Sequence, residues 1–319
     1  MRIFGYLCLF LLAPVFVHAQ NFTSGMIDTG LSLTLEPALP QPQSIFTVGL
    51  NDYGGGGFGS EISWFFNDTL LTGSRNARTI ALQAGVAGST GVIKAVLTTP
   101  NGAKETLITT IKPLYLDIIL EPQTHVSTFY KGRALPSAES TVNATAFLSS
   151  EKILTGEYLY TWRLNNVVLQ GGALRGGSRV SFTMPQDSYS TLSLTITTLD
   201  GTTLAKRTIA VPVVAPRLVF YEVNTLYGIA ERSLKTPFSL LGNSMTVRAE
   251  PYYLDSTVFN APSIAMWKVD TTEVPSSNNP YDITLERVEA GGSANITFQI
   301  QSTTKLLQGT KSTFTMNVI

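Results

Sequence analysis

Apolar and polar residues alternate along most of this chain with a period of two. Leu31, Leu33 and Leu35 interleave with Ser32, Thr34 and Glu36, and similar runs occupy residues 45–50, 114–121, 141–148, 217–223 and 245–250. Successive side chains of a strand point to opposite faces, so the pattern predicts half-buried β-strands. No window sustains the 3.6-residue apolar period of a helix. Two strand pairs announce themselves by their turns. Residues 91–99 meet 104–111 across Pro100-Asn101-Gly102, and residues 191–198 meet 203–211 across Asp200-Gly201. Asn-Gly and Asp-Gly accept the positive φ that a tight hairpin requires. A third pair, 295–301 with 311–318, is joined by a longer loop.

These runs recur around three tryptophans: Trp64-Phe65-Phe66-Asn67, Trp162-Arg163-Leu164-Asn165 and Trp267-Lys268-Val269-Asp270. Each reads Trp, any residue, apolar residue, then Asn or Asp. Each is preceded by two alternating runs and followed by a closing strand pair. Along the Trp run, Ile62, Trp64 and Phe66 share a face, as do Tyr160, Trp162 and Leu164, and Ala265, Trp267 and Val269. Trp64, Trp162 and Trp267 are therefore expected to be structural core residues rather than surface rings that stack on sugars. The repeat length is about 100 residues, which suits one β-sandwich. The predicted fold is all-β: three tandem immunoglobulin-like antiparallel β-sandwich domains at residues 30–113, 114–216 and 217–319. Lys112-Pro113 and the proline-bearing stretch 211–216 join them as stiff connectors, which predicts a semi-rigid rod.

On the tryptophan segment and the closing hairpin, the units resemble the bacterial immunoglobulin-like and PKD-like domains of exported surface proteins. The Phe-Gly-Asp-Gly that usually follows the PKD tryptophan is missing, as is the cysteine pair of antibody domains. The resemblance implies adhesion, spacing or assembly at the cell surface.

Composition agrees with strands. Charged residues make up 14% of the chain, against ~25% in typical soluble domains. Lysine plus arginine and aspartate plus glutamate number 22 each. With no basic stripe either, a nucleic-acid partner is not expected. Arg2, the apolar stretch 3–17 and Val17-His18-Ala19 form a signal peptide over residues 1–19, with cleavage expected after Ala19 and a linker over 20–29. No second apolar stretch follows, so no transmembrane segment is expected once the leader is removed. The protein is expected to be exported: extracellular, at the cell surface or periplasmic. Cys8, the single cysteine, lies in the leader, so the domains must stand on their cores without disulfides.

Little in the chain suggests catalysis. His125 is the one histidine beyond the leader, and it reads as a surface-loop residue at the edge of the second domain. Asp52, Asp68, Asp255 and Asp270 fall near turns singly, not in the acidic loop that calcium needs. No catalytic residue, cofactor or metal is expected. The run Gly54-Gly55-Gly56-Gly57-Phe58-Gly59 lacks the Gly-Lys-Ser/Thr ending of a phosphate loop and reads as a mobile loop before the Trp64 strand, with Tyr53 and Phe58 as a candidate contact loop. Tyr221, Tyr227, Tyr252 and Tyr253 gather in the third domain and are expected to pack in its core or between domains. The expected function is non-enzymatic, a structural, adhesive or assembly module of the cell envelope whose partner is a protein or glycan at the cell surface. The alternative is a carbohydrate-binding protein that uses loop or sheet aromatics.

Overall fold

The computed structural model describes residues 30–149, 158–276, 278–287 and 291–318. The leader and the 20–29 segment lie outside the described residues. The alternating runs form antiparallel strands whose apolar faces meet in pairs of sheets. In the first unit the strands are β1 (Leu31–Glu36), β2 (Ile45–Asp52), β3 (Glu61–Phe66), β4 (Thr69–Leu70), β5 (Thr79–Gln83), β6 (Gly91–Thr98) and β7 (Lys104–Ile111). Their sheets are β1-β2-β5 and β4-β3-β6-β7.

The second unit repeats the plan. It holds β8 (Tyr115–Pro122), β9 (Thr141–Ser149), β10 (Leu159–Leu164), β11 (Val167–Val168), β12 (Leu174–Arg175), β13 (Arg179–Thr183), β14 (Tyr189–Thr197) and β15 (Thr203–Pro212). Its sheets are β8-β9-β13 and β11-β10-β14-β15, with β12 also pairing β10. Each unit is an immunoglobulin-like sandwich.

The third unit elaborates the theme with β16 (Arg217–Asn224), β17 (Gly228–Ser233), β18 (Phe238–Leu240), β19 (Ser244–Tyr252), a short helix α1 (Ser256–Asn260), β20 (Ile264–Val269), β21 (Thr272–Val274), β22 (Asp282–Glu286), β23 (Gly292–Gln301) and β24 (Gly309–Val318). Its sheets are β17-β16-β19-β22 and β18-β24-β23-β20-β21. The β16–β17 hairpin, and β18 running parallel to β24, have no counterpart among the described residues of the first two sandwiches.

Each sandwich has its own apolar core, and the tryptophans sit in them. Trp64, Trp162 and Trp267 are 0%, 1% and 1% exposed. The indole N–H cannot be left unpaired in an apolar core. Each donates to a backbone carbonyl in the segment leading back to the other sheet: Trp64 to Ala77 O (2.8 Å), Trp162 to Gly177 O (2.8 Å) and Trp267 to Pro280 O (3.1 Å).

The Asn/Asp position of the repeated motif has an equally regular role. Asn67, Asn165 and Asp270 all take positive φ, at 48°, 48° and 55°. Their side-chain oxygens accept from Val92 N (2.8 Å), Thr191 N (2.9 Å) and Asn295 N (2.9 Å). Their own N–H groups donate to the carbonyls of the same three residues. The motif thus closes a turn and fastens it to the penultimate strand in every sandwich, which is why a small polar residue that tolerates left-handed backbone recurs there.

Candidate functional site

Two loop ends hold the chemistry of this molecule, and they occupy equivalent places in the first and third sandwiches. In the third, the loop from β19 to β20 and the loop from β23 to β24 press onto residues 123–140 of the second sandwich. Tyr252 ends β19 and Tyr253 follows it. Ser127 Oγ bonds the Tyr252 hydroxyl at 2.9 Å, and the Tyr130 and Tyr253 hydroxyls lie 2.8 Å apart. Tyr221 bonds Tyr252 from its own sheet at 2.8 Å. Burial first, and then the bond to Tyr252, pushes the Tyr221 hydroxyl well above the ordinary tyrosine range, and burial with the Tyr130 bond raises Tyr253. Both therefore stay neutral hydrogen-bonding groups.

A polar knot closes the joint beside these rings. Asp255 caps α1 through Thr257 N (2.9 Å) and is fully buried. Its carboxylate also accepts from Thr141 N of the second sandwich (3.0 Å) and pairs Lys305 at 2.9 Å. Burial alone would raise this carboxyl, but the bonds from Thr257, Lys305 and Thr141 together outweigh it and hold the group below the usual carboxylate range. Gln308 accepts from Asp255 N (2.6 Å) and donates to Ser137 Oγ (2.9 Å) and to Ala138 O. Backbone pairing crosses the joint too, with His125 N to Leu254 O and Tyr253 N to His125 O, both at 2.7 Å.

His125 is not the exposed loop residue that its isolation in the sequence suggests. Its ring lies in the joint, 2.6 Å from Glu250 Oε1 and stacked on Phe259 at a centroid distance of 3.5 Å. The sequence shows one histidine in a polar stretch. Only the fold brings Glu250 and Phe259 to it. Lys305 and Gln308 carry no sequence signal of their role in the knot, whereas Asp255-Ser256-Thr257 before an apolar residue is a readable helix cap.

The first sandwich presents the same loop without a covering domain among the described residues. Tyr53 and Tyr253 are each the first residue after the second strand of their sandwich, β2 and β19. Phe58 and Phe259 then fall in the loop to the tryptophan strand. Tyr53 and Phe58 are 83% and 86% exposed.

Backbone hydrogen bonds tether the glycine run between them. Tyr53 N donates to Gly30 O (2.9 Å), Phe58 N to Gly55 O (3.2 Å) and Ser60 N to Gly57 O (3.2 Å). Buried Gly57 is the anchor. Its N–H meets Asp52 Oδ2 at 3.1 Å, and an added Cβ would lie 3.1 Å from both that oxygen and a Leu97 methyl. A side chain there would crowd both, and glycine fits without displacing either. Pinning the loop centre to the sandwich leaves Tyr53 and Phe58 standing outside it. Under the loop, Asp52 Oδ1 and Ser60 Oγ are buried without a hydrogen-bond partner among the described residues. Such an atom costs ~1–3 kcal/mol.

Among the described residues, no three His, Cys, Asp or Glu side chains gather as a metal site would require, and no helix is long and apolar enough to cross a membrane. No family model and no curated protein matches the chain. Solved structures resemble it loosely. The fibronectin(III)-like modules of Clostridium thermocellum CbhA match 57% of this chain and 94% of theirs, at 13% identity and a TM-score of 0.28. Three N-terminal domains of the bacteriophage RB49 outer capsid protein Hoc match 91% and 98%, at 10% and 0.29. A Bacteroides ovatus mixed-linkage glucan utilization protein, SGBP-B, solved with a heptasaccharide, matches 90% and 70%, at 13% and 0.24. Scores of this size carry no argument about function. The fold stands on the strand pairing itself.

Proposed function

We propose that this protein is a non-enzymatic, exported module of the cell envelope that engages a surface partner through the loop end of its first sandwich. One observation carries the reading: the loop from the second strand to the tryptophan strand, which in the third sandwich packs Tyr253 and Phe259 against the second, holds Tyr53 and Phe58 in the first, where both rings face solvent. Exposed aromatics on a rigid support suit binding, because ordering them costs little conformational entropy. The sandwiches behind them act as a spacer.

The test compares the exported chain with a Tyr53→Ser/Phe58→Ser variant in crosslinking to envelope proteins and in binding to a glycan array. Loss of a specific partner in the variant supports the reading. Equal behaviour of both proteins in every assay refutes it.

A carbohydrate-binding reading has its own support in the second sandwich. The outer face of β8, β9 and β13 holds a depression of about 400 Å³ lined by Ile119, Glu121, Asn143, Phe147 and Arg179. Phe147 is 52% exposed, and an aromatic ring beside amide, carboxylate and guanidinium groups is chemistry that suits sugars. Array binding lost in Phe147→Ala and kept in the loop variant would favour it.

A further inference from the structure

We propose that the chain associates head to tail, with the loop end of one copy's first sandwich seating on the far end of a second copy's third sandwich. This rests on the reading of Tyr53 and Phe58 as a binding surface and names what they bind.

The molecule already shows the contact that such an association would repeat. Where the third sandwich meets the second, its β19–β20 and β23–β24 loops provide the insert. The seat is the connection between the first two strands of the preceding sandwich, which supplies His125, Val126, Phe129, Tyr130 and Leu135. The same connection faces the next sandwich at the other joint. Ala38, Leu39 and Pro40, between β1 and β2, share a crevice of about 230 Å³ with Thr202, Thr203 and Leu204 at the start of β15. Insert and seat are thus the two ends of one repeated unit.

The third sandwich carries a seat as well, and its form is distinctive. Its connection between β16 and β19 is the one that contains the extra β17 and β18. The turn from β16 to β17 holds Leu226 and Tyr227 at 84% and 87% exposure, and Leu241 follows β18 at 81%. Asn224 Oδ1 braces the turn by accepting from Leu226 N (2.8 Å) and Tyr227 N (3.2 Å), so the two side chains are held outward.

Strand register puts all three at the end away from the second sandwich. Arg217 pairs Tyr252 at the joint, whereas Val223 pairs Thr246, Ser244 pairs Glu286 and Leu240 pairs Val318 at the opposite end. An apolar slot of about 540 Å³ opens between the sheets at that same end, lined by Val269, Val274, Leu285, Ala294, Met316 and Val318. It is larger than a phenyl ring.

One end of the molecule therefore offers two exposed aromatics on a fixed loop. The other offers exposed apolar side chains beside an apolar slot. Apolar side chains grouped beside an apolar slot are the kind of surface that marks an interaction site. A contact between unlike ends is heterologous, and one that does not close on itself builds an open chain of copies.

Sedimentation analysis of the full chain without its leader, over a wide concentration series, tests this. The wild type is expected to grow in mass with concentration. Tyr53→Ser/Phe58→Ser removes the insert and Leu226→Ser/Tyr227→Ser removes the seat. All four side chains are solvent-facing, so the fold should survive, with circular dichroism as the check. Each variant alone is expected to remain monomeric. An equal mixture of the two should form a dimer and stop there, because each copy keeps one working end. A wild type that is monomeric throughout, association that persists in either variant, or a mixture that fails to dimerise would each overturn the proposal. If the wild type is monomeric but binds a glycan or another envelope protein through Tyr53 and Phe58, self-association fails and the binding reading stands. If the loop variant equals the wild type in every binding measurement, both fail.

Discussion

Replacing Asp255 by alanine tests whether the second and third sandwiches are held by the polar knot between them. The carboxylate is fully buried and satisfies Thr141 N, Thr257 N, the Thr257 hydroxyl and Lys305. Truncation leaves those donors without an acceptor. Removing one partner of a buried charge pair costs ~3–5 kcal/mol. Lys305 is 27% exposed and can turn to water, which favours the lower half of that range. For a block of two sandwiches, ~3–5 kcal/mol corresponds to a fall in Tm of roughly 6–20 °C. Differential scanning calorimetry should show this fall in the transition of the second and third sandwiches, with the first unchanged.

Asp255→Asn keeps an acceptor but no charge. Hydrogen bonds to charged groups contribute ~1.5–3 kcal/mol and neutral ones ~0.5–1.5, so about half the effect should remain. The pH dependence has a definite sign. The folded carboxyl lies below its unfolded value, so its stabilisation is complete above ~4. It is lost as pH falls through the lower folded value, and the Asn variant should lack that component of acid unfolding. A fall in Tm below ~2 °C for the alanine variant, where the argument requires at least ~6, would refute the role given to the knot.

Other predictions follow from the cores and turns. The Tyr221, Tyr253 and Tyr281 hydroxyls are all raised by burial. Unfolded tyrosine ionises near ~10, so stability should fall as pH climbs past that point while these rings stay neutral in the fold, as ultraviolet difference spectra of the tyrosines can follow. Trp162→Phe removes the bond to Gly177 O and leaves a small void, and should cost ~2–3 kcal/mol in urea unfolding. Asn165→Ala puts alanine at a φ of 48° and frees Thr191 N. It should cost ~1–3 kcal/mol, and a neutral result would remove the turn-fastening role of the repeated Asn/Asp.

Much of the strand framework could be read from alternation alone. The runs at 141–148 and 203–211 became β9 and β15 with only a residue or so added at an end. Alternation is local, and the sheets that use it need no distant information beyond pairing. The three-sandwich plan was likewise legible, because the tryptophan motif marks the same turn each time. The third unit held the surprises. Its β17 and β18 come from residues 225–243, where apolar residues stand in adjacent pairs such as Leu226-Tyr227, Ile229-Ala230 and Leu240-Leu241 rather than in alternation. Helix α1 is one short turn, below the length at which a 3.6-residue period shows.

The joint was invisible for a different reason. Its partners lie far apart in the chain, as His125 and Glu250 do, and nothing local to either residue records the other. Tyr53 and Phe58 were readable as loop aromatics, but the equivalence of their loop with the β19–β20 loop at the joint required the strand order.

The knot at the second joint also constrains how this sequence can drift. Gln308 touches Ser137, Ala138 and the Asp255 backbone, and Glu139 accepts from Leu307 N. A substitution in the 123–140 stretch is therefore answerable to residues more than a hundred positions away. Homologues should covary between these stretches, with Gln308 and Ser137 exchanged together or retained together. Duplicating one repeat unit would copy its core, insert and seat together but not the side-chain knot particular to this joint, so a newly added sandwich would have to evolve that fit to its neighbour afterwards.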